Sequence, residues 1–158
     1  MDPEERECER LLQGGDPEAL PRLYRRFQRP LLSFLYHQTG DRAAAEDLLQ
    51  EVFVRVWRNR ESYEPRGRLG GWLFTIARRL GIDFSEKRGR RGQEALAEDL
   101  PEPGAGPERA AEVAITRERI DAAIAGLPES QREVFLLREY GGLSFAEIAE
   151  LSGSPLST

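Results

Sequence analysis

The fold class of this chain is decided by residues 45–57, which read Ala45-Glu46-Asp47-Leu48-Leu49-Gln50-Glu51-Val52-Phe53-Val54-Arg55-Val56-Trp57. The apolar residues recur at intervals of three and four, which predicts one amphipathic helix over residues 42–60. The residues predicted to face a core are Leu49, Val52 and Val56. The polar side is predicted to be an acidic ridge with an exposed aromatic ring, formed by Asp47, Gln50, Glu51 and Phe53. The same pattern also fits an ordinary solvated helix with pairs such as Glu51–Arg55.

Helical spacing continues on both sides of this stretch. The preceding apolar face consists of Leu20, Leu23, Tyr24, Phe27, Leu31, Phe34 and Leu35. Pro30 lies inside it and is expected to kink or split the helix. Gly40-Asp41 is predicted to end one helix and cap the next. The following apolar face consists of Leu69, Trp72, Leu73, Ile76, Leu80 and Phe84. Because strand patterns are nearly absent, these segments predict an all-α core shared across residues 1–90.

The segment that holds Leu69 to Phe84 also lies in the most basic part of the sequence. Residues 66–91 hold eight basic and two acidic side chains, although the whole chain has a net charge of −5. Residues 93–158, by contrast, hold 5 basic and 13 acidic side chains. A local basic stripe can neutralise phosphates, and a nearby aromatic ring can hold an unstacked base. Trp72 facing the core beside a merely solvated basic face remains an equal alternative.

Residues 88–110 are rich in Gly, Pro, Ala and Glu and show no periodic apolar face, which predicts a flexible linker. Helical signals resume near residue 111. The apolar faces predicted there are Ile120, Ala123, Ile124 and Leu127, then Val134, Phe135, Leu137 and Tyr140. Pro128 is predicted to begin the second of these helices and Gly141-Gly142 to end it. The expected organisation is two small helical domains, at residues 1–90 and 112–158, joined by a flexible linker at 91–111.

The last residues have the pattern of a helix-turn-helix. Ser144 and Glu147 have the spacing of a capping box, which predicts the start of a helix. Its apolar face is predicted to consist of Phe145, Ile148, Ala149 and Leu151. Gly153 can supply the turn, and Ser154-Pro155 suits the start of a second helix. Only the first residues of that helix follow, so the chain is expected to read DNA weakly through it.

Composition excludes several classes of function. One cysteine excludes an internal disulfide, and one histidine makes a Ser–His or Cys–His catalytic pair hard to build. Cys8 is expected to be a surface thiol and His37 a hydrogen-bonded imidazole. No Cys/His cluster suggests a metal, and no cofactor is expected. Because no apolar run approaches roughly 18 residues and the charged N-terminus lacks a signal-peptide core, we expect a cytoplasmic protein without membrane insertion.

Four motifs in a fixed order resemble the bacterial extracytoplasmic-function (ECF) sigma factors. They are Asp47-Leu48-Leu49-Gln50-Glu51-Val52-Phe53, Trp72-Leu73-Phe74-Thr75-Ile76-Ala77-Arg78-Arg79, Leu127-Pro128-Glu129-Ser130-Gln131-Arg132-Glu133-Val134-Phe135 and Gly142-Leu143-Ser144-Phe145-Ala146-Glu147-Ile148-Ala149. The resemblance covers nearly the whole chain, from about residue 9 to 158.

The resemblance implies a transcription initiation factor, not an enzyme, with sigma region two before the linker and sigma region four after it. It implies a surface that docks on the largest subunit of RNA polymerase, formed by Asp47, Gln50, Glu51 and Phe53. Contacts to the minus-ten promoter element, which the family melts, would come from Arg66, Arg68, Trp72, Arg78, Arg79, Asp83, Lys87 and Arg88. The family most often has Asn where this chain has Arg79. Incomplete contacts to the minus-thirty-five element would come from Ser154, Pro155, Ser157 and Thr158.

The implied partners are core RNA polymerase and promoter DNA, with an anti-sigma factor as a further candidate. Two alternatives stay open: a helix-turn-helix regulator that acts without polymerase, and a sigma-like decoy that docks on polymerase without reading DNA fully. The acidic ridge favours polymerase docking over the simple regulator, which has no need of it.

Overall fold

The computed structural model describes residues 2–64, 69–88 and 107–152, and regular structure in those ranges is entirely helical. The elements are α1 (Pro3–Gln13), α2 (Ala19–Thr39), α3 (Arg42–Arg58), a 3₁₀ turn (Arg60–Ser62), α4 (Leu69–Arg88), α5 (Pro107–Ala125), α6 (Glu129–Glu139) and α7 (Phe145–Ser152). The predicted all-α class is confirmed. The predicted linker core, residues 89–106, lies outside the described residues.

The first half is a bundle in which α2, α3 and α4 pack pairwise and α1 packs on α2 and α4. Its centre includes an edge-to-face contact between Phe34 and Phe74, whose ring centres are 5.5 Å apart. The fully buried side chains of this core include Leu12, Leu23, Leu31, Phe34, Leu35, Val52, Val56, Leu69, Leu73 and Phe74. Each such side chain contributes about 1.5–3 kcal/mol by burial, which explains why one face of every helix is apolar.

Helix α2 runs without a break through Pro30, so the structure shows one helix where a split was one of two expected outcomes. A proline inside a helix removes one backbone hydrogen bond and crowds the preceding turn. The residues on either side, Phe27, Leu31 and Phe34, are all buried in the bundle. Their burial on both sides of Pro30 offsets that local cost and keeps the two turns in one helix.

The predicted caps between α2 and α3 are confirmed. Gly40 has φ 70°, a left-handed conformation that favours glycine, and its N–H donates to the Tyr36 carbonyl. Asp41 then begins α3, and its carboxylate accepts a hydrogen bond from the Ala44 N–H at 3.1 Å. The Arg88 guanidinium also reaches Asp41, and these bonds hold the pKa of that carboxyl below its usual value.

Cys8 is fully buried in α1, so the predicted surface thiol is wrong. It lies on the same face of α1 as Leu11 and Leu12, which pack into the bundle. A free cysteine behaves as a small apolar side chain in such a position. Burial raises the pKa of the thiol, which makes it a poor nucleophile.

The second half consists of α5, α6 and α7. Arg132 of α6 donates hydrogen bonds to three carbonyls at 3.0 to 3.2 Å, those of Ile124 and Ala125 at the end of α5 and that of Leu127 in the following turn. The capping box is confirmed, because Ser144 and Glu147 exchange side-chain and backbone hydrogen bonds, each of 3.1 Å. These contacts fix the turns on both sides of α6.

Packing in this half is thinner than its apolar pattern predicts. Ile124 is buried, but Ile120, Ala123, Phe135 and Phe145 are exposed, with 58% of the Phe145 side chain accessible. Phe145 instead lies beside the Arg138 guanidinium, 4.9 Å from its ring centre. Helix α5 also begins at Pro107, earlier than residue 111 where helical signals were predicted, because proline suits the first turn of a helix.

The two halves contact each other, since α2 packs against both α5 and α6. None of the helices in the described part of the chain is long and apolar enough to cross a membrane.

Candidate docking surface and nucleic-acid interface

The acidic ridge of α3 is present on the surface. Asp47 and Gln50 are exposed. Glu51 is 41% exposed, and its carboxylate accepts a hydrogen bond from Arg55 Nε at 3.3 Å. We call Asp47, Gln50 and Glu51 the docking ridge. The Glu51–Arg55 pair expected of an ordinary solvated helix is therefore present. Asp47 and Gln50 lie outside this pair and remain exposed on the surface.

Phe53 is not part of the exposed surface, and the prediction that it is an exposed aromatic is wrong. Its side chain is 8% exposed, and its ring centre lies 5.3 Å from that of Tyr24 in α2. Helix α3 packs against both α2 and α4, so its buried sector is wider than the stripe expected from Leu49, Val52 and Val56. The large apolar side chains that α3 and the adjacent α2 do expose are Val54 (41%) and Tyr24 (42%).

Trp72 lies in the first turn of α4 and is half-buried. Its ring packs on Tyr63, with ring centres 4.7 Å apart and planes inclined by 38°. The two expected alternatives, a core side chain and an exposed one, are both only partly correct. A ring that is half in contact and half in water can pack in the free protein and still present a face to a base.

Basic side chains farther along α4 differ in their exposure and in whether they are paired with an acidic side chain. Arg79 and Lys87 are exposed, and Asp83 is partly buried. Arg88 donates to Asp41 at 2.9 Å, and its guanidinium lies 5.6 Å from the ring centre of Phe84. Among the members of the predicted set that the structure describes, Arg79 and Lys87 are therefore the ones that face solvent most openly.

Arg78 is held between the two halves. Its Nε donates to the carboxylate of Glu133 in α6, and the two side chains are 18% and 23% exposed. Its backbone carbonyl accepts a hydrogen bond from Gln38 Nε2 at 3.5 Å. The sequence predicted Arg78 as a DNA contact but gave no sign of this partner.

His37 lies in the same junction and is buried. Its Nε2 is 3.4 Å from Asp121 Oδ1, and its ring stacks on Tyr140 with ring centres 5.8 Å apart. Its Nδ1 is buried without a hydrogen-bond partner, so the expected hydrogen-bonded imidazole is at most half satisfied. Burial, with a smaller effect of the nearby Arg132, lowers the pKa of His37 to about 4.

Several predicted site residues lie outside the described residues, namely Arg66, Arg68, Ser154, Pro155, Ser157 and Thr158. Sequence reasoning also missed Glu5, whose side chain is buried and accepts a hydrogen bond from the Gly70 N–H. One signal could have found it: Glu5 lies three residues before Cys8 and seven before Leu12, on the apolar face of α1. An acid in that position needs a partner.

Comparison with known families covers both halves of the chain. The family model for sigma-70 region 2 matches residues 23–91, and the one for sigma-70 region 4 matches residues 117–158.

Relatives of known name agree with the family models. The ECF RNA polymerase sigma factor SigE of Mycolicibacterium smegmatis is 35% identical over 91% of this chain, which spans 58% of that relative. BldN of Streptomyces coelicolor is 33% identical over 89% of the chain, which spans 54% of it. RpoE of Cereibacter sphaeroides is 32% identical over 90% of the chain, which spans 79% of it. The chain therefore spans little more than half the length of the first two.

A solved structure has the same fold. CnrH, determined in complex with the cytosolic domain of CnrY, superposes with a TM-score of 0.68 over 97% of this chain and 85% of its own, at 22% identity. Because the identity is low, this likeness supports the all-helical architecture alone.

Proposed function

The chain belongs to the ECF sigma factors of bacterial RNA polymerase, and from that membership we propose that it is a transcription initiation factor, not an enzyme. It binds core RNA polymerase, directs it to promoters and takes part in melting the DNA. The docking ridge contacts polymerase, and α4 contacts the minus-ten element through Trp72, Arg79 and Lys87.

The observation that carries this proposal is an acidic ridge and a basic surface on two helices that pack together. On α3 the ridge exposes Asp47 and Gln50, with Arg58 exposed at the end of the helix, whereas the adjacent α4 exposes Arg79 and Lys87 together with one acid, Glu86. An acidic surface favours a basic protein partner, and a basic surface favours phosphates. One small bundle thus offers one surface to a protein and another to DNA, which a regulator acting without polymerase does not need.

A protein partner that restrains the chain is a further part of the proposal. CnrH, which has the same fold, was captured with the cytosolic domain of CnrY. An anti-sigma factor that covers the docking ridge or α4 fits the same two surfaces. A cytoplasmic location follows from the proposed partners, since polymerase and promoter DNA are found there.

The test is direct binding to core RNA polymerase, followed by run-off transcription from a promoter library. We expect the chain to bind core polymerase and to select a subset of promoters. Glu51→Lys should weaken that binding, because charge reversal in a complementary interface costs about 1–3 kcal/mol or more. Glu61→Lys, an equal charge change at an exposed residue outside the ridge, is the matched control.

Each alternative has its own outcome. DNA binding without any affinity for core polymerase would contradict the proposal and support a regulator that acts alone. Tight binding to polymerase without transcription from any library member would contradict it in favour of a decoy.

A further inference from the structure

Glu5 is a buried carboxylate that the proposed function leaves without a role. Its side chain is 7% exposed, and in the described part of the chain no other Asp or Glu is buried. It comes from α1, near the start of the chain, before the part that the region 2 family model matches. A buried carboxylate is costly unless it is paired or hydrogen-bonded, so its partner matters.

The partner of Glu5 is the backbone at the start of α4. The Gly70 N–H donates to Glu5 Oε1 at 2.9 Å, across 65 residues of sequence. Leu69 and Gly70 are the first two residues of α4, where N–H groups have no acceptor within the helix. A carboxylate there forms a charge-assisted hydrogen bond and also interacts favourably with the helix dipole. Glu5 therefore caps α4 from another helix.

The close approach of α2 and α4 at this point depends on Gly70, beside the carboxylate of Glu5. A Cβ at Gly70 would lie 3.1 Å from a ring carbon of Phe27 and 3.7 Å from Glu5 Oε1. The ring of Phe27 is itself buried in the bundle. The glycine backbone is thus packed between a ring and a carboxylate, which fixes its position from both sides.

The same carboxylate lies near Tyr63, which precedes α4 in the chain. Tyr63 is buried, and burial, with Glu9 and Glu5 nearby, raises its pKa to about 12. Tyr63 packs on Trp72, two residues after Gly70, with ring centres 4.7 Å apart. Glu5 therefore bonds the start of α4 and lies near Tyr63, the ring on which Trp72 packs.

We propose that Glu5 is a positioning residue for promoter opening: by capping α4 at Gly70 it holds Trp72 against Tyr63, in the place from which Trp72 meets the melted strand. The inference rests on the proposed function for its last step. Its first step, that Glu5 sets the position of Trp72, concerns the free protein alone. The two steps can therefore be tested separately.

The experiment compares Glu5→Ala, Glu5→Gln and Glu7→Ala in a Trp57→Phe background, so that Trp72 is the remaining tryptophan. Glu7 is a matched control because it lies on the same helix but pairs with Arg10 at the surface. Glu5→Gln keeps an oxygen that can accept from Gly70. In the free chain we measure Trp72 emission and amide exchange at Gly70. With polymerase we measure the affinity for the core enzyme and the rate at which saturated holoenzyme opens a duplex promoter selected from the library. All measurements are made at a temperature where each variant is folded.

We expect Glu5→Ala to shift Trp72 emission, to speed exchange at Gly70 and to slow promoter opening about tenfold, the scale of one lost hydrogen bond to a charged group. Affinity for core polymerase should stay within twofold, since the docking ridge lies on α3. Glu5→Gln should recover most of the opening rate, and Glu7→Ala should match the parent. If Glu5 only stabilised the fold, Glu5→Ala would lower both the affinity for core polymerase and the rate of promoter opening.

The inference is overturned if Glu5→Ala leaves Trp72 emission and opening unchanged, or if Glu7→Ala slows opening as much as Glu5→Ala does. If the parent holoenzyme opens no promoter at all, the proposed function fails. Emission of Trp72 and exchange at Gly70 in the free chain then still decide whether Glu5 positions that ring.

Discussion

Arg78 of α4 donates its Nε–H to the carboxylate of Glu133 in α6, so a basic residue of the proposed DNA-binding helix is held by the second half of the chain. Both side chains are mostly shielded from water, which strengthens the pair relative to a surface one. A phosphate that binds Arg78 must compete with Glu133. If Arg78 contacts DNA as the sequence predicts, that contact is therefore coupled to the contact between the two halves.

Glu133→Gln should loosen the contact between the two halves and raise the affinity of the free chain for single-stranded minus-ten DNA a few-fold. The reason is that the neutral amide pairs less strongly with the Arg78 guanidinium, which is then freer to bind phosphate. Small-angle scattering and fluorescence anisotropy measure the two effects. Glu118→Gln removes the same charge from an exposed site on α5 and should change neither. Equal affinities for the parent and Glu133→Gln would show that Arg78 does not compete for DNA.

Gln50→Ala and Phe53→Ala should have different effects, although the sequence places both residues on one surface. Gln50 is exposed, so its replacement should weaken binding to core polymerase with little change in the free energy of unfolding. Phe53 is buried against Tyr24, so its replacement should cost about 3–5 kcal/mol of stability. Urea unfolding and a polymerase binding titration separate the two. If Phe53→Ala is as stable as the parent, the burial of its ring has been misassigned.

Local features of the fold could be predicted from the sequence because they depend on neighbouring residues. Gly40-Asp41 and the Ser144–Glu147 capping box lie within four residues of the groups they cap. The acidic ridge also follows from the spacing of one helix. Each of these features is set by the geometry of a single helix end or face.

Contacts between distant elements could not be predicted in this way. Glu5 and Gly70 are 65 residues apart, and Arg78 and Glu133 are 55 apart. Periodicity describes which face of a helix is apolar, but it does not describe which helix covers that face. Phe53 shows the same limit, because its burial depends on α2 and α4 packing on two sides of α3.

Arg79→Ala should weaken binding of the holoenzyme to a pre-melted promoter and reduce its salt dependence by about one unit of slope, the effect of one lost phosphate contact. Arg79 is exposed on α4 and so needs no rearrangement to meet DNA. The measurement is the affinity as a function of salt concentration. Arg6→Ala, which removes an exposed arginine from α1, should leave the slope unchanged. A slope that stays the same in Arg79→Ala would exclude this residue from the interface.

His37 should make the stability of the chain depend on pH between about 6.5 and 4. Burial and Arg132 lower the pKa of His37 in the folded state to about 4, whereas the exposed imidazole of the unfolded chain titrates near the ordinary histidine pKa of about 6.5. Between pH 6.5 and 4, His37 therefore binds a proton in the unfolded state but not in the folded state. Stability is unaffected by His37 above pH 6.5 and is lost progressively as the pH falls toward 4.

His37→Gln tests this dependence, because an amide keeps a donor near Asp121 but does not titrate. Between pH 7 and 4.5 the parent should lose about 2 kcal/mol more of its free energy of unfolding than the variant does. The other groups that face this ring are Tyr36, Asp121, Arg132 and Tyr140, and they are present in both proteins. Their contributions cancel in the comparison, as do those of carboxylates such as Asp2 and Asp41, whose pKa values backbone hydrogen bonds hold below the ordinary value for aspartate. Urea unfolding at a series of pH values gives the difference, and parallel curves for the two proteins would show that His37 is not held neutral in this junction.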